Sequence, residues 1–281
     1  MRTHLLTYHS PTDLASALDN LALTGSKVVA GGTDLYPAKE QGRGPDHFVD
    51  VSRIEGLADL EAADTEIRIG AAVTWTQIVR AELPPAFDAL KQAAREVGSV
   101  QIQNAATVAG NLCNASPAAD GVPPLLCLNS EVELSSASLG VRRLPLSDFI
   151  LGVRRTALAD DEMMTAIVIP TPPAKAHSAF EKLGSRKYMV ISITMTAAVV
   201  ECDDDGCILS AQVAVGACSP VAQRLPAVEQ AVIGLKPEDI ILTPELFASL
   251  SPISDVRGSS DFRVDVVVEQ CRRAIQKAAK H

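Results

Sequence analysis

The sequence predicts an α+β chain built from two units that meet near Thr171, and three observations carry that expectation. A short β-branched run, Val28-Val29, ends in a Gly31-Gly32 pair between apolar segments at 27–30 and 48–51, the pattern of a small β-α-β unit. Ile67, Ile69, Ala71 and Val73 alternate as a half-buried strand does. Past Thr171-Pro-Pro-Ala-Lys175, the best linker candidate, residues 193–202 and 207–217 form two apolar strands joined by an Asp203-Asp204-Asp205-Gly206 turn.

Each element has a local reason. Ser10-Pro11-Thr12-Asp13 opens the first helix, with Ser10 as N-cap, Pro11 at the first helical position and Leu14, Leu18 and Leu21 on the buried face. The strand at 27–30 then enters the glycine loop. No G-x-G-x-x-G follows it and Pro37 limits the next helix, so phosphates here would rest on loop N–H groups, not on a long helix. Thr74 caps a short helix over 75–81, and Pro84-Pro85 introduces one that runs to Val97 and stops at Gly98. Residues 132–134 and 141–144 read as paired strands, and 167–169 as a strand ending at Pro170. Beyond the linker an antiparallel region starts at Phe180. Helices are expected over 226–233, 244–250 and 264–280, the last with Val264, Val267, Val268, Cys271 and Ile275 at helical spacing.

The formal charge of −9 argues against nucleic acid or an anionic membrane as partner, because phosphates and acidic headgroups would be repelled. No run approaches the roughly 18 apolar residues of a membrane span, and the first ten residues lack a signal-peptide core, so the expected location is cytoplasmic with no membrane insertion. Six cysteines form no C-x-x-C pair and no zinc or iron-sulfur cluster spacing, and the histidines His4, His9, His47, His177 and His281 are scattered. No metal site is expected on this chain. The thiols read as inert, Cys202 and Cys207 raised further by the turn carboxylates between them.

The stretch Thr107-Val-Ala-Gly-Asn-Leu-Cys-Asn-Ala-Ser-Pro-Ala-Ala-Asp120 gathers small, polar and turn-prone residues inside an apolar region. Thr107, Asn111, Asn114 and Ser116 offer side-chain hydrogen bonds, and Ser116-Pro117 stops any regular element, so an irregular segment around a polar ligand is expected. Val28-Val-Ala-Gly-Gly-Thr-Asp-Leu35 is a second such loop. Two loops suggest one ligand with two ends.

Val29-Ala-Gly-Gly-Thr-Asp-Leu35, Ile67-Arg-Ile-Gly-Ala-Ala-Val-Thr-Trp75, Gln101-Ile-Gln-Asn-Ala-Ala-Thr-Val-Ala-Gly-Asn111 and Ala115-Ser-Pro-Ala-Ala-Asp120 together resemble the FAD-binding medium subunit of molybdenum hydroxylases, the group of the xanthine dehydrogenase and carbon monoxide dehydrogenase flavoproteins. Segments 149–158, 180–186 and 215–220 extend the resemblance over nearly the whole chain. It implies a PCMH-type, vanillyl-alcohol-oxidase-like FAD domain over residues 1–170, with subdomains of about 1–56 and 57–170. A carbon monoxide dehydrogenase flavoprotein C-terminal-like domain over 176–281 would follow, a three-stranded antiparallel sheet with a helical bundle.

By motif, Val28, Val29, Ala30, Gly31, Gly32, Thr33, Asp34 and Leu35 would wrap the pyrophosphate of FAD, with the N–H groups of Gly31, Gly32 and Thr33 as the anion cradle. Thr107, Val108, Ala109, Gly110 and Asn111 would approach the flavin and phosphate region, Asp120 would bind a polar group of the cofactor, and Met164 and Lys182 would line the adenine or flavin end. Arg186 and Tyr188 fall where the family places residues near the ring. Three departures stand out: Ala109 replaces the glycine usual in T-x-G-G-N and asks for a negative φ, Gln103 replaces a common arginine, and Met189-Val190-Ile191 replaces a frequent Asp-Ile pair.

The resemblance implies an oxidoreductase subunit for electron transfer, with no catalytic residue of its own. A large molybdenum-cofactor subunit would oxidise the substrate, a small subunit with [2Fe-2S] clusters would relay electrons, and FAD would hand them to NAD+, oxygen or another acceptor, in a heterotrimer that is doubled. The rival readings are a free-standing FAD-dependent oxidoreductase, a carbon monoxide dehydrogenase medium subunit, and a binding module without cofactor.

Overall fold

The computed structural model describes residues 7–23, 25–42 and 45–280; the expectations for His4, His281 and the first six residues lie outside them. The first unit contains β1 (Thr7–His9), α1 (Leu14–Leu21), β2 (Ser26–Val29), α2 (Leu35–Glu40) and β3 (His47–Asp50), and its three strands are parallel in the order β1-β3-β2. The helix cap is Asp13, not Ser10: Asp13 is extended at φ −131° and ψ 157°, and its carboxylate accepts the Ser16 N–H at 2.9 Å, leaving Pro11 outside the helix. Ala17 and Leu21 of α1 pack with Val49, Val51, Ala72 and Met163. The glycine loop therefore leaves β2 directly above a packed floor.

The second unit begins with β4 (Leu60–Ala62) and β5 (Glu66–Gly70). α3 (Trp75–Arg80) starts at Thr74, whose hydroxyl accepts the Gln77 N–H at 3.3 Å while the Gln77 side chain accepts the Thr74 N–H at 2.8 Å, a reciprocal cap. After a 3-10 turn come α4 (Asp88–Glu96), α5 (Val100–Ala105), α6 (Val108–Asn114) and α7 (Val122–Cys127). The segment expected to be irregular is thus half helix. Thr107 caps α6, while Val108, Ala109 and Leu112 are buried, and that burial outweighs the poor helix propensity of Gly110 and Asn111. Pro123 and Pro124 sit in the first turn of α7, where no internal N–H partner is required.

β6 (Glu131–Ser136), β7 (Gly140–Pro145), α8 (Leu146–Phe149), the hairpin of β8 (Ile150–Gly152) and β9 (Arg155–Thr156), and β10 (Glu162–Pro170) complete this unit. Its sheet is antiparallel throughout, in the order β4-β5-β10-β6-β7. The pairing of 132–134 with 141–144 is found, Val132 opposite Leu144.

β11 (Ala176–Leu183), β12 (Thr194–Cys202), β13 (Ile208–Gly216) and β14 (Gln223–Arg224) form the last sheet. It has four strands where three were expected, because Gln223 and Arg224 add to Val215 and Ala214. In place of a bundle there is a short α9 (Pro226–Val232), two 3-10 turns and the 19-residue α10 (Ser260–Ala278), capped by Ser259. The Asp-Asp-Asp-Gly hairpin is present, with the Asp203 carboxylate accepting the N–H groups of Asp205 and Cys207 at 3.0 and 2.8 Å. Burial, and then the Asp203 charge, raise the Cys202 thiol above its ordinary value. Alternation on β12 splits its residues between two cores. Met195, Ala197 and Val199 join the core of α4 and α7, and Ala198 and Val200 join that of α10.

Candidate functional site

The loop after β2 and the start of α6 face each other across a cleft of about 790 Å³, within the roughly 300–1,000 Å³ typical of small-molecule and cofactor sites. Val28, Val29, Ala30, Gly31, Gly32, Thr33, Asp34 and Leu35 all line it, as do Thr107, Ala109, Gly110, Asn111 and Met164. Val108 does not; its side chain is wholly buried in the core beneath.

The geometry of the glycine loop follows from what surrounds it. A Cβ on Gly31 would stand 1.9 Å from the carbonyl oxygen of Ala105, so only glycine lets the loop touch the end of α5. Gly32 has φ +67° and carries the chain into α2. The N–H groups of Gly31, Gly32 and Thr33 donate to no protein acceptor among the described residues. Three adjacent unpartnered donors on cleft-lining residues have the chemistry that an anion cradle requires. The opposite wall is held by cross-links between helix starts: Trp75 N–H donates to Ala106 O and Val108 N–H to Val73 O, each at 3.1 Å.

Thr107 is occupied by its capping role, its hydroxyl accepting the Gly110 N–H at 2.9 Å. Ala109 is helical and buried, so a left-handed backbone is not required of it. Three polar atoms of cleft-lining residues are buried without a partner among the described residues: Ser26 Oγ, Trp75 Nε1, a donor, and Asn111 Oδ1, an acceptor. Buried polar atoms in folded proteins are nearly always satisfied, so these point to a bound polar group.

Charge in the cleft is arranged as follows. Glu162, buried, accepts two hydrogen bonds from Arg142 at 2.6 and 2.7 Å and one from the Ala159 N–H at 2.8 Å, and the Arg142 guanidinium beside it holds its carboxyl below the usual range. Arg154 is the one guanidinium lining the cleft among the described residues, and it has no carboxylate partner. Its backbone sits at φ +57°, its N–H donates to Ala115 O at 2.9 Å, and its side chain reaches Asn114 O at 3.2 Å and the Asn114 side chain. Ala115 itself has φ +46°. Two residues in the left-handed region thus hold one cation at the rim. Sequence reasoning missed Arg154 and Trp75 as site residues, although Gly152-Val-Arg-Arg is a turn signal. Cys113 lines the cleft, but burial pushes its thiol up to about 12, which leaves no thiolate to react. Among the described residues no three His, Cys, Asp or Glu side chains come together to hold a metal.

Asp120 and Lys182 are brought together, but not at this cleft. Their side chains, 9% and 7% exposed, pair at 2.7 Å; Ser192 Oγ donates to the other Asp120 oxygen at 2.5 Å, and Lys182 Nζ also donates to Glu96 O at 3.3 Å. Burial raises the Asp120 carboxyl against the pull of Lys182. The pair joins the N-terminal half of the chain to β11 of the C-terminal half. Gln103 is structural as well, its amide donating to Arg95 O at 3.0 Å. Arg186 and Tyr188 stand outside the cleft on an exposed loop, and Arg186 donates to Met189 O.

The chemistry of the cleft suits FAD: free N–H donors for phosphates, a cation at the rim, valine, alanine and methionine surfaces for flat rings, and unmatched polar atoms for ring or sugar groups. Comparisons agree. Residues 3–172 match the model of the FAD binding domain in molybdopterin dehydrogenase, and residues 178–278 that of the CO dehydrogenase flavoprotein C-terminal domain. The chain is 34% identical over 235 residues to the nicotinate dehydrogenase FAD-subunit of Eubacterium barkeri, covering 80% of this chain and 76% of that one. It is 32% identical to the nicotine 6-hydroxylase medium subunit of Paenarthrobacter nicotinovorans, covering 99% of both. A crystal structure of Cu,Mo-CO dehydrogenase contains a chain that superposes with a TM-score of 0.90 at 26% identity, over 98% of this chain and 97% of that one.

Proposed function

The chain belongs to the family of FAD-binding flavoprotein subunits of molybdenum hydroxylases, oxidoreductases that carry FAD on this subunit, and on that premise we propose how its residues serve electron transfer. The cradle of Gly31, Gly32 and Thr33 holds the pyrophosphate of FAD, Arg154 lies over the same phosphates, and Trp75 and Asn111 give their unmatched polar atoms to the cofactor. FAD supplies the conversion between single-electron and two-electron transfer. The protein supplies position: the Gly31 contact with Ala105 fixes the loop, and the cross-links between α3 and α6 fix the wall facing it. The observation that carries the reading is the run of three unpartnered N–H groups on the cleft wall.

The electrons come from partner subunits, a large one with the molybdenum cofactor and a small one with [2Fe-2S] clusters, in a heterotrimer that is doubled. Support comes from the relatives, whose names describe FAD-subunits and medium subunits. The substrate is an N-heterocycle, purine or related compound oxidised on the large subunit, in keeping with the nicotinate, nicotine and xanthine enzymes among the relatives. The N-terminal 1–170 portion is taken as the PCMH-type domain and 176–281 as the second domain. Denaturing the purified protein should release FAD in one-to-one ratio with the chain. Gly32→Val, which places a branched side chain at φ +67° and against the Tyr36 ring, should abolish that release. Candidate substrates that bleach the flavin of the isolated subunit would instead identify a free-standing oxidoreductase.

A further inference from the structure

Tyr36 backs the glycine loop from the side away from the cleft: Leu35 and Ala38 of α2 line the cleft and Tyr36 does not. A Cβ on Gly32 would stand 2.2 Å from Tyr36 Cε2, so the ring lies against the one cradle residue that has a positive φ. We propose that Tyr36, with Phe48 and Tyr8 behind it, is a positioning residue for the cofactor, an aromatic brace that holds the N–H groups of Gly31, Gly32 and Thr33 in one orientation before the pyrophosphate arrives. The inference rests on the flavin reading given above and deepens it.

Three rings make the brace. The centroids of Tyr36 and Phe48 are 6.3 Å apart with the planes at 42°, and those of Phe48 and Tyr8 are 6.3 Å apart at 39°. Tilted pairs at such spacings attract each other beyond the area they bury. Phe48 is 3% exposed yet belongs to none of the three apolar cores among the described residues, and Tyr8 and Tyr36 are 50% and 44% exposed. Filling of the interior therefore does not account for the row.

The row is fastened at both ends of the loop. On α2 the Tyr36 N–H donates to Gly32 O at 3.0 Å, so the backbone and the ring of one residue hold the same glycine. At the far end the Tyr8 hydroxyl donates to Asp50 Oδ2 at 2.6 Å, and Asp50 Oδ1 accepts the Ser52 N–H at 2.9 Å. Asp50 stands opposite Val29 in the pairing of β2 with β3, on the strand that feeds the glycine pair. The hydrogen bond to Asp50, then burial and the Tyr36 hydroxyl beside it, hold the Tyr8 phenol above its ordinary value, which keeps the anchoring proton in place.

Glycine is the residue least able to hold its own conformation. A Gly31-Gly32 pair left alone would spread over several backbone shapes, and a cradle formed only part of the time binds with its affinity reduced by that fraction. The two glycines are gripped by different elements: Ala105 of α5 meets Gly31, and Tyr36 of α2 meets Gly32. The first contact sets where the loop lies. With a ring against its α-carbon and an N–H on its carbonyl, Gly32 has little room to turn, and the second contact sets which way the cradle faces.

The test is fluorescence titration of the FAD-free full chain with FAD, together with displacement of FAD by ADP and by adenosine, which differ only in the diphosphate. In Tyr36→Ala the Kd for FAD should rise about tenfold and the preference for ADP over adenosine should fall by a similar factor, while Tyr36→Phe, which keeps the ring, stays within about twofold of the wild type. A tyrosine that merely supports the fold would weaken ADP and adenosine alike. That result overturns the proposal, as does wild-type FAD affinity in Tyr36→Ala, or a Tyr36→Phe variant as weak as Tyr36→Ala. Tyr8→Phe, which unhooks only the exposed far end of the row, serves if Tyr36→Ala does not fold: its Kd for FAD should rise about threefold with a matching loss of ADP preference, and an unchanged value overturns the proposal. The wild type reads the underlying assignment separately: a chain that binds neither FAD nor ADP defeats that assignment, while a wild type that binds both and a Tyr36→Ala variant that matches it defeat only the brace.

Discussion

The α-carbon of Gly31 lies so close to Ala105 that a methyl group on it would stand 1.9 Å from the Ala105 carbonyl oxygen. That contact sets the distance between the phosphate loop and the helices facing it. Gly31→Ala must push the loop off α5 and open the cradle, so FAD affinity should fall about a hundredfold, or about 2.7 kcal/mol. Equilibrium dialysis of the apoprotein against FAD measures this; unchanged affinity would place the phosphates elsewhere.

Arg154 combines a charge with a left-handed backbone, and the two contributions separate by substitution. Arg154→Gln removes the charge and should raise the Kd for FAD about tenfold, or about 1.4 kcal/mol. Arg154→Gly relaxes φ as well, and should lose as much FAD affinity while unfolding no earlier than Arg154→Gln. A glycine variant that binds FAD normally would show that the guanidinium does not touch the cofactor.

Removing one member of the Asp120–Lys182 pair leaves the other buried without its counter-charge. Asp120→Asn should destabilise the fold by about 3–5 kcal/mol, and Asp120→Leu/Lys182→Met by much less. Urea denaturation of the three proteins gives the comparison. A double variant that loses more than Asp120→Asn would show that an unpaired buried charge is not the source of the loss.

The pH dependence of stability should carry the mark of Glu133. Arg68 at 2.6 Å, with Thr165 at 3.0 Å and Arg143 at 3.1 Å, holds its carboxyl at about 2 against the ordinary 4.5. Its folded value lies below the unfolded one, so its stabilisation is complete above about pH 4.5 and is lost as pH falls toward about 2. Thermal unfolding followed across that window should show the decline in the wild type and a flatter profile in Glu133→Gln, whose melting point at neutral pH is already lower.

Local chemistry was legible in the sequence and long-range pairing was not. The Thr74 cap and the Asp203 turn depend on residues within four positions of each other, and both are found. The glycine loop was legible because two adjacent glycines after a β-branched run leave few backbone options. The helix hidden in the second loop was missed because Gly110 and Asn111 lower local propensity, while the burial of Val108 and Leu112 that overrides it depends on strands far away in the chain. Asp120 finds Lys182 across 62 positions, a pairing that no spacing rule anticipates. The cap falls on Asp13 in place of Ser10, where the carboxylate accepts the Ser16 N–H and the helix starts at Leu14.

Because Met195, Ala197 and Val199 lie against helices contributed by the N-terminal half while Ala198 and Val200 lie against α10, the last sheet is wetted on neither face. The Pro-rich stretch at 171–175 is therefore a hinge in the chain's path and a poor place to divide it. A fragment starting at Ala176 would expose to water the apolar face that Met195, Ala197 and Val199 bury against the N-terminal helices, and such a surface drives copies of the fragment to clump together.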